Sequence, residues 1–321
     1  MTTHSFRHSI PEEILALSHE RDLLRRRGQY DRADLLKRQI EDAGYIIKDN
    51  PHGAHLVTLP SIEVDGQVYR TVHQLPSLID EPDRCIFSVN ILARNNHDQT
   101  VRCIESVLRF ADNTDLEIVL VDNASQDGVD LWAEAYRYQE PRLHVLHTTR
   151  TMGEAEARNV GLKQSRGRYI LILDASVELT GDIFTPLMQT LEDGSVGVTG
   201  LHGLKTEDLR NYEECESVEV DVIDTLCMAF RRVLLKEAGL FDERYRFPYY
   251  MDVDFNFTVR DLGTTLVVTP NLPVLRHTIE PDAKLSDAER ARLAKRNFYR
   301  FREKWGERDD LLPEYDEDDE E

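Results

Sequence analysis

Gly153–Asp182, reading GEAEARNVGLKQSRGRYILILDASVELTGD, decides the fold. It begins with helical rhythm: Ala157, Val160, Gly161 and Gln164 share one side at three- and four-residue spacing. Ser165-Arg166-Gly167 stops the helix, and Gly167 is the expected left-handed cap. Tyr169-Ile170-Leu171-Ile172-Leu173 follows, an unbroken apolar run too short for a helix. Such a run suits a strand covered on both faces, as in a parallel sheet. It stops at Asp174-Ala175-Ser176. An acid there lies where open α/β sheets bind ligands, though it could equally just start a loop.

The flanking sequence continues the alternation. CIFSVNILA (85–93) is a strand, TVRCIESVLRFA (100–111) an amphipathic helix with Val101, Ile104, Val107 and Leu108 inward. LEIVLVDNAS (116–125) is a strand, GVDLWAEAYRY (128–138) a helix, and LHVLHT (143–148) a third strand. Strand–helix alternation predicts right-handed crossovers and a mostly parallel sheet, hence an α/β protein. No G-x-G-x-x-G follows the first strand, so a dinucleotide site has no support.

Upstream, residues 11–43 read as a helical hairpin. Ile14, Leu17 and Leu24 mark one apolar face, Tyr30, Ala33, Leu36, Ile40 and Ala43 the other, with stops at Gly28 and Gly44. A β-hairpin is predicted over Tyr45–Asp49 and His55–Leu59, turning at Asn50-Pro51-His52-Gly53. A second is predicted around Asp65-Gly66. The division expected is a module over 1–80, the α/β domain over 81–306 and an acidic, disordered tail over 307–321. The tail rests on Asp309–Glu321, which carries nine acids and no base.

The chain has 321 residues, enough for a large core, and a net charge of −21, which disfavours general binding to nucleic acid or anionic membrane. Cys85, Cys103, Cys215 and Cys227 show no metal-binding spacing and read as reduced thiols. Glu12 and Glu13 interrupt any signal peptide, and no run is long enough for a membrane helix. A cytoplasmic protein is expected, with association into a homo-oligomer open.

Four pieces carry a resemblance: FSVNILARNN, EIVLVDNASQDG, the Gly153–Asp182 stretch, and GLFDERYRFPYYMDVDFNFTVRDLG (239–263). In this order they resemble family 2 glycosyltransferases with the GT-A fold, from about Cys85 to Trp305. The resemblance implies inverting transfer of a sugar from a nucleotide-diphosphate sugar to an acceptor hydroxyl on a glycan, a lipid-linked molecule or another compound. The chain has no Q-x-x-R-W, so a non-processive enzyme is expected. By position, the resemblance puts Ala93, Asn95, Asp122, Asn123, Arg158 and Asn159 at the nucleotide. An amide at Asn123 leaves the base preference open.

The family's Asp-x-Asp stands here as Asp174-Ala175-Ser176. The resemblance implies a divalent metal, Mg²⁺ or Mn²⁺, with Asp174 and His277 as ligands and Ser176 beside the donor phosphates. A hydroxyl is a poor ligand for a hard dication. Three outcomes therefore stay open: metal held by the remaining groups, metal-free catalysis using Arg or Lys, or a binding or scaffold protein without catalysis. In Met251-Asp252-Val253-Asp254, Asp252 matches the family's general base; a helix start also favours acids there.

The N-terminal stretch YDRADLLKRQIEDAGYIIKDNPHG resembles the C-terminal helical end of cysteinyl-tRNA synthetases through Ala33, Asp34, Gly44, Asp49, Pro51 and Gly53. An RNA-associated protein is the reading this implies, set against a plain packing module. The acidic charge favours the module, and no nucleic-acid partner is expected.

Overall fold

In the computed structural model, residues 10–50, 53–58, 61–111, 113–215, 217–245, 250–278 and 286–311 are described. The apolar run forms the strand Gly167–Asp174, parallel to Cys85–Ala93 on one side and antiparallel to Cys227–Arg231 on the other. Tyr169, Leu171 and Leu173 enter one hydrophobic core, Ile170 and Ile172 the other. Alternate side chains leave a strand on opposite faces, so a strand covered on both sides must be apolar throughout.

The sheet has nine strands. From one edge they are Thr265–Val268, Val196–Gly200, Cys227–Arg231, Gly167–Asp174, Cys85–Ala93, Leu116–Asp122, Leu143–Thr148, Ile62–Val64 and Gln67–Tyr69. The four from Gly167–Asp174 to Leu143–Thr148 are parallel, as the alternation predicts. Cys103, Ile104 and Val107 of the helix His97–Arg109 cover one face, with Phe184 and Leu187 of Phe184–Glu192. Phe255, Phe257 and Val259 of the helix Met251–Asp261 cover the other, with Phe301 and Trp305 of Asp287–Trp305.

The helix Glu154–Gln164 forms as expected, but Gly167 is not its cap. Ser165 is already extended, and its hydroxyl donates back to Gly161 O at 2.9 Å. Gly167 instead opens the strand where the backbone of Ser88 approaches closely: a Cβ there would lie 2.3 Å from Ser88 N. The glycine is needed for close approach.

The N-terminal hairpin forms from Glu12–Arg26 and Tyr30–Asp42, with Gly28 and Gly44 at positive φ. Tyr45–Asn50 pairs with Gly53–Thr58; Pro51 and His52 of the expected turn lie outside the described residues. Ile14, Ile40, Tyr45, Ile47 and Leu56 form a separate small core. The Asp65-Gly66 turn also forms, but Ile62–Val64 pairs with Leu143–Thr148, so the central sheet begins before the boundary expected at residue 80. Most of the acidic tail, from residue 312, lies outside the described residues. All four cysteines are free thiols, and among the described residues no helix is long and apolar enough to cross a membrane.

Candidate functional site

A cavity of about 1130 Å³ takes in the end of Gly167–Asp174 and the start of Met251–Asp261. It brings together Asp174, Ser176, Asp252 and His277, the first and last of them 103 residues apart in sequence. Ala93, Asn95, Asp122, Asn123, Arg158 and Asn159 do not line it.

Five of those six hydrogen-bond to surrounding backbone, and Arg158 pairs with a side chain. Ala93 O accepts from Asn123 N at 2.9 Å. Asn95, at φ 55°, accepts from Gln126 N at 2.7 Å, tying two strand-end loops together. Asp122 is buried; it accepts from Ser125 N at 2.9 Å and meets His147 Nδ1 at 3.0 Å. The other His147 nitrogen meets Glu134 at 3.0 Å. Burial opposes charge on His147, but the two carboxylates raise its pKa above the ordinary value. The Asn123 amide is occupied by Met152, accepting from its N at 2.7 Å and donating to its O at 3.2 Å. Asn159 does the same with Phe241, at 3.0 and 2.8 Å. Arg158 pairs with Glu154 on the next helical turn. Asn123 and Asn159, expected at the nucleotide, thus have buried amides hydrogen-bonded to backbone.

Asp174 lies at the strand end, its backbone N–H bonded to Leu226 O. Its Oδ1 accepts from Ser176 N at 2.9 Å and from Ser176 Oγ at 2.6 Å. The Val274–Arg276 strand pairs with Val177–Leu179, which delivers His277; His277 N donates to Ser176 O at 2.9 Å. His277 Nε2 is taken by Glu178 at 2.7 Å. Among the described residues, no three His, Cys, Asp or Glu side chains converge to hold a metal ion. The donor set does not fit a resident dication: the second carboxylate is missing, one Asp174 oxygen is filled by the Ser176 hydroxyl, and a ring nitrogen of His277 is engaged. Asp174 and His277, expected as metal ligands, share the cavity and are each engaged by a neighbouring side chain.

Asp252 sits in the first turn of Met251–Asp261, next to Val253 N at 2.9 Å. Tyr250 precedes it at φ 74° and turns the chain into the helix. Burial, with the negative charges of Asp224 and Glu154, pushes the Asp252 pKa up to about 6. A carboxylate tuned this way can exchange a proton near neutral pH. Asp254 faces elsewhere: it accepts from Lys304 at 3.0 Å, Trp305 Nε1 at 2.9 Å and Tyr245 OH at 3.4 Å.

Sequence reading missed several lining residues. Glu154 and Asp224 are the acids that face Asp252, and Asp224 lies in a stretch without a motif. Arg210, Arg276 and Lys295 supply positive charge, and Tyr212, Tyr250 and Phe298 an aromatic wall. Arg276 adjoins His277 in the sequence, while nothing local marks Arg210.

The sequence model described as Glycosyl transferase family 2 matches residues 88–249. Glycosyltransferase GlyG of Streptococcus pneumoniae serotype 4 is 29% identical over 113 residues, 35% of this chain and 37% of the relative. Succinoglycan biosynthesis protein ExoO of Rhizobium meliloti is 30% identical over 145 residues, 44% of this chain and 40% of the relative. These matches span less than half the length of either relative. Among solved structures, GalNAc-T7 with UDP, GalNAc and Mn²⁺ superposes with a TM-score of 0.60 at 16% identity, covering 70% of this chain and 48% of that one. Mannosyltransferase PcManGT from Pyrobaculum calidifontis, in complex with GDP-Man and Mn²⁺, gives 0.54 at 20% identity, covering 71% and 68%. The expected GT-A fold is present.

Proposed function

This chain belongs to glycosyl transferase family 2, and from that premise we propose that it transfers a sugar from a nucleotide-diphosphate sugar to an acceptor hydroxyl, with inversion and one sugar per encounter. The observation that carries this reading is the shared cavity of Asp174 and Asp252. Asp252 takes the proton of the acceptor hydroxyl as its oxygen attacks the anomeric carbon. The bond to the diphosphate breaks on the opposite side, and the nucleoside diphosphate leaves with the bonding pair. Ionised Asp252, available above about pH 6, contributes about 10²–10⁴-fold as a general base. Asp174, held in one orientation by Ser176, positions the donor at the strand end. A single attack needs no covalent sugar–enzyme intermediate, and that is what makes inversion the outcome. The absence of Q-x-x-R-W supports one transfer per encounter.

The test is release of nucleoside diphosphate from UDP-, GDP- and dTDP-sugars by the full chain, compared with Asp252→Asn. Release by the native protein, reduced about 10²-fold or more in the variant, is expected. Equal release from both would remove Asp252 as the base. No release from any donor would favour a second reading, a nucleotide-sugar-binding or scaffold protein, whose motivation is Ser176 in place of a carboxylate.

A further inference from the structure

We propose that the donor diphosphate is neutralised by the side-chain cations Arg276, Arg210 and Lys295 rather than by a bound dication. This rests on the nucleotide-sugar reading above.

The argument is one of charges left over. Three of the acids facing the cavity already have partners inside the protein. Glu154 is held by Arg158 at 3.1 Å, Asp224 lies 3.7 Å from His202, and Asp174 accepts two hydrogen bonds from Ser176. The fourth, Asp252, is the base. The cations show the reverse. Arg210 lies 5.7 Å over the Phe298 ring and Lys295 5.9 Å over the Tyr299 ring, and among the described residues neither meets a carboxylate within ion-pair distance. Arg276 has no ion pair among them either. In a chain of net charge −21, acids are abundant, yet among the described residues these three cations line the cavity without a carboxylate partner. An anionic ligand is what they lack.

Position favours the diphosphate for Arg276. Its strand is paired residue by residue with Val177–Leu179, so Arg276 stands opposite Val177, next to Ser176. That is the place where a second acid would have held a metal. Replacing that acid with Ser176 removes the need for a dication and the repulsion a carboxylate would exert on phosphate. A guanidinium offers forked N–H donors that match phosphate oxygens and carry a fixed charge. Arg210 and Lys295 approach from other walls of the cavity. As the glycosidic bond breaks, negative charge grows on the departing diphosphate, and fixed cations in place beforehand stabilise it without reorganisation.

The experiment is calorimetric titration of the full chain with UDP, GDP and dTDP, in EDTA and in Mn²⁺. At least one nucleotide is expected to bind in EDTA with an affinity within about threefold of that in Mn²⁺, a difference under 1 kcal/mol. Arg276→Ala should weaken binding in EDTA by about tenfold or more, and Arg276→Lys by less. Arg276 is exposed at a strand end, so both variants should keep the native melting temperature. Binding that requires Mn²⁺ overturns this proposal and leaves the donor reading standing, as does native affinity in Arg276→Ala. If no nucleotide binds in either buffer, the donor reading itself fails and this proposal with it.

Discussion

Ser176 Oγ donates to Asp174 Oδ1 across 2.6 Å, and Ser176 N reaches the same oxygen at 2.9 Å. The strand end thus carries a carboxylate with its own internal hydroxyl donor.

Ser176→Asp replaces that hydroxyl with a carboxylate. Two carboxylates would then share a nearly buried turn, and like charges at close range oppose ionisation. The variant should melt below the native protein in EDTA, by about 2–4 °C if the repulsion is worth ~1 kcal/mol. Mn²⁺ should restore the loss in the variant and leave the native melting temperature unchanged. An equal rise with Mn²⁺ in both proteins would mean that the native residues already hold the ion.

Asp252 sets a pH dependence. Its carboxyl is held near 6 by burial and by Asp224 and Glu154. Transfer should fall about tenfold per pH unit below that value and level off above it. The stability sign is opposite to that of a salt-bridged acid. The folded pKa is raised, so folding is penalised when the group is ionised, fully above about 6 and not at all below the ordinary 3.8. Asp252→Asn should therefore melt higher than the native protein at pH 8 and equally at pH 3.5. A lower melting temperature at pH 8 would contradict the raised pKa.

Asp254 is an anchor for the C-terminal helix. Its carboxylate meets Lys304 with both oxygens at 3.0 Å and receives the Trp305 indole N–H. Asp254→Ala strands these donors and should cost about 2–4 kcal/mol in urea unfolding. The midpoint of the pH–rate profile should stay near 6. A shifted midpoint at normal stability would give Asp254 a part in the chemistry.

His147 bridges Asp122 and Glu134 at 3.0 Å to each. Its raised pKa means its charge stabilises the fold most below 6.5, and that contribution disappears as pH rises through the raised value. His147→Leu should lose more stability at pH 6 than at pH 9. Equal losses at both pH values would show that the imidazole is held neutral.

Local pattern alone determined much of this protein. The run Tyr169–Leu173 could only be a strand covered on both faces, because five successive apolar side chains must point alternately into two cores. The helix spacing around it, the left-handed stops at Gly28 and Gly44, and Asp252 at a helix start were equally legible, since each depends on neighbours within a turn or two. Tertiary structure decided the rest. Only the fold brings Phe241, 82 residues on, to both ends of the Asn159 amide. Gly167 serves not as a cap but as the site of close approach by the Ser88 backbone, 79 residues earlier. Asp224, Arg210 and Lys295 meet only because the fold brings them to one cavity. Hydrogen-bond partners and neighbouring charges across such separations leave no periodic trace in the chain, and they decide which polar residues remain free to meet a ligand.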